Sequence, residues 1–256
     1  MRLVRWLILV PALLFVLFLG LPLVAIFLRA LPVSIENWQS GSTLDALTLS
    51  LFTATLAAII SVFLGTPVAY LLARANFRGK SVLDTLVDLP IIMPPAVAGL
   101  GLLMAFGRRG LLGPALAGMG IELPFTTAAV VMAETFVAAP FYIRAARIGF
   151  AAVDRRLEQM SALLGVPDWQ TFMRITLPLA APSLAGGLLM TWARALGEFG
   201  ATIMFAGNFQ GRTQTMPLAI YIGLESNLDS ALALSLVLIV VSFSILVLVR
   251  RYGIRV

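Results

Sequence analysis

The sequence predicts an all-α membrane protein of six transmembrane helices, and three observations carry that prediction. Only 12% of the 256 residues are charged, while 60% are hydrophobic. A soluble domain averages roughly 25% charged residues, so this chain lacks the charge to cover a soluble surface. Uncharged runs recur from Trp6 to Leu28, Ala46 to Ala73, Leu89 to Phe106, Ile175 to Ala193 and Ser230 to Val249. Each is near or above the length of about 20 residues that a helix needs to cross the hydrocarbon of a bilayer. None is a short alternating segment of about 10 residues, which excludes a β-barrel.

Taken in order, the spans fall at roughly 5–29, 45–74, 83–106, 124–147, 179–206 and 229–250, within one domain covering 1–256. The first follows Arg2 and Arg5 and is longer than the core of a signal peptide, so it reads as a retained helix. The first, second and sixth carry no break and are expected to face lipid. The third is broken up by Pro90, Pro94 and Pro95, the fourth is interrupted by Glu134 and Pro140, and the fifth by Arg194 and Glu198. The connections 31–44, 107–123 and 207–228 are short and rich in Gly, Pro, Ser and Thr. They are too small to be folded domains, so any soluble capture domain is another chain.

Lys and Arg set the orientation. With the N-terminus inside, one side collects Arg2, Arg5, Arg74, Arg78, Lys80, Arg144, Arg147, Arg155, Arg156, Arg174, Arg250, Arg251 and Arg255. The other keeps Arg29, Arg108, Arg109 and Arg212. This asymmetry predicts both termini in the cytoplasm of a multi-pass plasma-membrane protein. The net charge of +6 follows from it, and no basic, aromatic-interleaved domain points to nucleic acid. The absence of cysteine and histidine removes disulfides, thiolate or imidazole metal sites and a Ser-His-Asp relay. Gly79-Lys80-Ser81 matches the tail of a phosphate-binding G-x-x-x-x-G-K-[ST] loop, but Arg74 stands where its first glycine belongs. The chain is therefore read as having no ATPase site and no bound cofactor.

The longest polar passage is 154–178, between the fourth and fifth spans. Asp154 can cap a helix over 155–164, Gly165 suits the left-handed position that ends it, and Pro167 follows. Asp168 can cap a second helix over 169–175 that meets Pro178 at the membrane. Small residues such as Ser161 and Ala162 let a partner backbone approach. Two readings of this passage are open: a docking element for a cytosolic partner, or an interfacial helix lying on headgroups.

Gly165, nine further residues, then Ile175-Thr176-Leu177-Pro178 fit the loop pattern E-A-A-x3-G-x9-I-x-L-P, and in this the chain resembles type I ABC-importer permeases. The E-A-A positions hold Gln159, Met160 and Ser161, with Glu158 one place early. The resemblance implies that 151–178 is the cytoplasmic coupling loop. It would dock on an ATPase subunit through Glu158, Gln159, Ser161, Ala162, Gly165, Ile175, Leu177 and Pro178. Leu89 to Gly99, Phe106 to Gly110, Glu134 to Phe141, Arg144 to Arg147 and Arg194 to Thr202 are similar to segments of molybdate permeases. Sulfate permeases share parts of these segments and more often carry tyrosine where Phe199 stands; tungstate permeases are not separable on these motifs. The resemblance implies import of molybdate or tungstate, with a sulfate or thiosulfate permease as the alternative. The implied partners are a second permease copy, two cytosolic ATP-binding subunits that carry the ATP and Mg, and an extracytoplasmic oxyanion-binding protein.

The intramembrane polar residues have readings of their own. Pro94 and Pro95 free backbone groups that are tolerated where they line protein or water, so they mark either a pathway element or a static kink. Arg194 and Glu198, spaced i, i+4, form either a self-neutralised pair or a polar gate. Glu134 has no partner near it in sequence; it pairs with a distant base, is protonated, or lines the pathway. Asp84 and Asp88 read as interfacial. An ion-coupled secondary transporter, with Glu134 or Glu198 as proton relay, is the rival class, and the 154–178 passage argues against it.

Overall fold

The computed structural model describes residues 2–37 and 41–252, with side chains described for 7–31 and 43–247. The side chains of Arg2, Arg5, Arg250 and Arg251, and all of Arg255, lie outside the described residues. Among the described residues the secondary structure is entirely helical. Five helices are long and apolar enough to cross a membrane, and a sixth crossing results if one bent pair is taken as one span.

The core is α2 (Gly41–Arg74), α6 (Thr127–Ala152) and α9 (Leu177–Leu196), packed side by side. α2 faces outward along Leu44, Phe52, Ile59, Phe63 and Leu64, as expected, but its other face lies inside. Ser50, Ala54, Ala57, Ser61 and Ala69 recur at helical spacing along one buried stripe. Small side chains let helix backbones approach closely in a membrane. In a hydropathy reading such a stripe is as uncharged as the lipid-facing side, so the sequence does not separate the two faces. α1 (Arg2–Asn37) does face outward along nearly all of Leu7 to Leu31, and it packs on α12 (Leu228–Tyr252).

The third span is two arms, α3 (Lys80–Ile92) and α4 (Pro95–Phe106), bent by 118° at the break. Pro94 clashes with a helical conformation in the residue before it, and Met93 accordingly adopts ψ 135. Pro95 then opens α4, where its missing N–H costs no helical bond. α3 carries no buried residue and is held to the end of α6 by charge. Asp88 takes a two-pronged bond from Arg144 at 2.6 and 2.8 Å, and Asp84 pairs with Arg147. α6 itself runs to Ala152, five residues beyond the expected end. It also runs unbroken through Glu134 and Pro140.

The fifth span stops at Leu196, and α10 (Gly200–Ala206) follows a three-residue break. α10 packs on α4 so closely that a Cβ on Gly99 would lie 2.6 Å from the Ala201 carbonyl oxygen. Two short helices occupy stretches read as connections: α5 (Gly113–Gly118) and α11 (Met216–Ser226). α11 rests on α12 and α2, and its first N–H donates to Ser50 Oγ at 2.7 Å. With 11 residues it is too short to register as a span.

Candidate functional site

Between α6 and α9 the chain forms α7 (Arg155–Leu163), α8 (Asp168–Thr171) and a π-helical turn (Phe172–Thr176) that leads straight into α9. The Asp154 carboxylate accepts from the Arg156 N–H at 2.9 Å, the cap read from the sequence. Gly165 has φ +74. Its N–H bonds the Ala162 carbonyl and the Val166 N–H bonds the Ser161 carbonyl, at 3.0 and 3.1 Å, the paired closure of a Schellman motif. Asp168 is not a cap: it is the first residue of α8 and its side chain makes no capping bond, Pro167 holding the cap position. Pro178 lies in the first turn of α9 rather than at a gap before it.

The predicted coupling residues separate onto two faces. Gln159, Ala162, Gly165 and Pro178 are exposed, and Ile175 and Leu177 are half-buried. Ser161 was expected to leave room for a partner, but it is buried. Its hydroxyl hydrogen-bonds Thr171 at 2.7 Å and ties α7 to α8. Glu158 also points inward. Its Oε1 accepts from Arg74 at 3.0 Å and from the Thr176 hydroxyl at 2.8 Å, while Arg74 donates to the Val153 carbonyl as well. One carboxylate therefore joins the end of α2, α7 and the π-helical turn. Beneath it Tyr70, Phe150 and Phe172 form an aromatic triangle with centroids 5.1 to 6.0 Å apart. π-helical turns recur at functional sites, and this one sits at the root of α9.

What the sequence reading missed is the apolar tip. Leu163 and Leu164 are 87% and 81% exposed, and Met160 and Trp169 are largely exposed beside them. The signal was present as apolar residues at i, i+3 and i+4 on a helix whose other face binds its own protein. An exposed apolar cluster of this kind marks a surface that meets a partner or the bilayer interface.

The second polar group lies within the bundle. Arg194 and Glu198 form an ion pair at 2.6 Å, and the Glu198 carboxylate also accepts the Ala201 N–H at 2.8 Å. Glu198 thus holds the start of α10 as well as Arg194, and it is 1% exposed. Glu134 is equally buried. Its Oε1 accepts from the Thr53 hydroxyl at 2.9 Å, its Oε2 has no partner, and Glu198 is within electrostatic reach. No cation pairs with Glu134 among the described residues. Pro94 and Pro95 are exposed, and Pro95 lies against Gly200, so the break in the third span abuts the break in the fifth. Breaks of this kind persist at membrane depth only where they are buried in protein or line a wet cavity.

These features define a multi-spanning helical membrane protein with an apolar-tipped loop at one end and a polar break inside the bundle. The chain belongs to the family described as binding-protein-dependent transport system inner membrane components, whose model matches residues 62–255. It is 41% identical over 245 residues to the molybdenum transport system permease protein ModB of Mycobacterium tuberculosis, covering 93% of this chain and 90% of that one. The Escherichia coli K12 protein of the same name is 41% identical over 186 residues, covering 72% and 79%. Among solved structures, a bacterial ABC transporter that imports the acidic polysaccharide alginate superposes with a TM-score of 0.76. It shares 17% identity and covers 98% of this chain and 96% of that one. At that identity the superposition establishes the fold.

Proposed function

We propose that this chain is the membrane-spanning subunit of an ATP-driven importer whose cargo is molybdate or tungstate. The observation that carries the reading is identity of 41% across 93% of the chain to a protein named for molybdenum transport. In this reading two copies form the pathway and two cytosolic ATP-binding subunits grip the α7 tips. A binding protein outside delivers the anion. The α7 end, which gathers Arg74, Arg78, Lys80, Arg155, Arg156 and Arg174, faces the cytoplasm, as do both termini. ATP and Mg are held by the partner subunits, and this chain makes and breaks no covalent bond.

The mechanism follows from the anchoring. A motor that displaces α7 pulls on Glu158, and through it on Arg74 of α2 and on the π-helical turn that starts α9. The far end of α9 is the Gly197–Phe199 break, facing the Pro94–Pro95 break. Movement of α9 therefore shifts α10 against α4, and the bundle alternates between its two openings.

Labelled molybdate uptake by the reconstituted complex tests the cargo. Excess tungstate is expected to compete and excess sulfate is not; the reverse result assigns the chain to sulfate. Glu198→Gln tests the break. It removes one charge from the bond to Arg194 and weakens the hold on the Ala201 N–H. Losing a charged hydrogen bond costs about 1.5–3 kcal/mol. The import rate is expected to fall about tenfold or more, while the affinity of the complex for its binding protein stays the same. An unchanged rate makes Arg194 and Glu198 a structural pair.

A further inference from the structure

The end of the bundle opposite α7 holds chemistry that neither the docking helix nor the polar break uses. There a cavity of about 460 Å³ is lined by Leu103, Arg108, Glu122, Phe125, Thr126 and Arg212, among others. It lies where α4 ends and α6 begins. The 26 residues of α6 place it about 39 Å from the α7 loop.

Its walls are fixed by local structure. Phe125 has φ +61, the one positive value outside glycine among the described residues. Its N–H bonds the Phe205 carbonyl at 3.3 Å, and its ring stands edge-on to Phe209 at 6.1 Å. A Cβ on Gly207 would come within 3.0 Å of both rings. A non-glycine residue held in this region costs of order 1–3 kcal/mol and marks a place where the surroundings impose a shape. The Thr126 hydroxyl is already used, donating to the Leu123 carbonyl and accepting from the Ala129 N–H.

What remains for a ligand is the pair of guanidiniums. Arg108 meets Glu122 at 2.9 Å, while Arg212 stands in no ion pair among the described residues. Two cations against one carboxylate leave the cavity net positive. The planar fork of a guanidinium matches the oxygens of a tetrahedral oxyanion two at a time. A site on a transport route must also release its ion, and a resident carboxylate that takes Arg108 back serves that end.

We propose that this cavity is a transit site for a tetrahedral oxyanion, held by Arg212 and Arg108, with Glu122 competing for Arg108. The proposal rests on the reading above that an oxyanion enters at this end.

The test is modification of arginine by phenylglyoxal in the permease–ATPase complex, followed residue by residue by mass spectrometry. Tungstate is the probe, chloride at equal ionic strength is the blank, and Arg78 at the other end is the internal reference. Tungstate is expected to slow modification of Arg212 at least threefold relative to Arg78. Glu122→Gln frees Arg108 from an exposed ion pair, so it is expected to lower the concentration for half-protection about two- to fourfold. The value is read in Glu122→Gln protein whose melting temperature matches that of the parent, so that weaker protection is not misfolding. Protection by sulfate and not by tungstate supports the anion site and overturns the cargo assignment. Protection no better than that by chloride, or weaker protection in Glu122→Gln, overturns the site.

Discussion

Gly165→Asp is expected to abolish uptake while leaving the protein inserted and folded. Gly165 sits at φ +74, where a non-glycine residue costs roughly 1–2 kcal/mol, with aspartate among the better tolerated. No heavy atom lies within 4 Å of where its Cβ would be, so the new side chain meets nothing of its own protein. It projects instead from a tip made of Leu163 and Leu164. A carboxylate buried there against a partner without a counter-charge costs several kcal/mol, enough to lower docking by a factor of a hundred or more. Gly165→Ala pays the backbone cost alone and should retain part of the activity. The measurements are membrane yield, co-purification of the ATPase subunit and labelled molybdate uptake. A Gly165→Asp permease that co-purifies and imports normally would show that α7 is not the docking element.

Much of the α7 loop was legible because its punctuation acts locally. An aspartate cap and a glycine stop work within five residues of themselves, and both took the conformations their chemistry implies. The partners of Glu158 were not legible, since Arg74 is 84 positions away in sequence. The same holds for Asp84 and Asp88, which read as interfacial and whose partners Arg147 and Arg144 lie 63 and 56 positions away. Prolines gave the place of the break in the third span but not its 118° angle, which depends on what α3 and α4 each pack against. The roles of Ser161 and of the buried α2 stripe were not legible for a shared reason. Small side chains suit a partner surface and a tight internal contact equally, and composition does not say which. The family segments located Glu134, Arg194 and Glu198, but only packing shows that Glu198 secures α10 while Glu134 binds Thr53 of α2.

The largest effect on coupling, as distinct from docking, is expected from Glu158→Ala. The side chains of Arg74 and Glu158 are 11% and 19% exposed, so the pair is largely shielded from water. Removing one partner of such a pair leaves an uncompensated charge and costs about 3–5 kcal/mol. The Thr176 hydroxyl, fully buried, loses its acceptor at the same time. The apolar tip is untouched, so the ATPase should still bind and hydrolyse ATP. What disappears is the link from α7 to α2 and to the π-helical turn, so a motor stroke is absorbed in the loop rather than delivered to α9. The expected signature is therefore uncoupling: ATP consumed per ion imported rises tenfold or more. Glu158→Gln keeps the acceptor for Thr176 but not the charge for Arg74, and should fall between the two. A purely structural carboxylate would lower the melting temperature likewise but leave the ratio of ATP to cargo unchanged. That ratio, measured beside the melting temperature in the same preparation, separates an anchor that transmits force from one that only holds the loop in place.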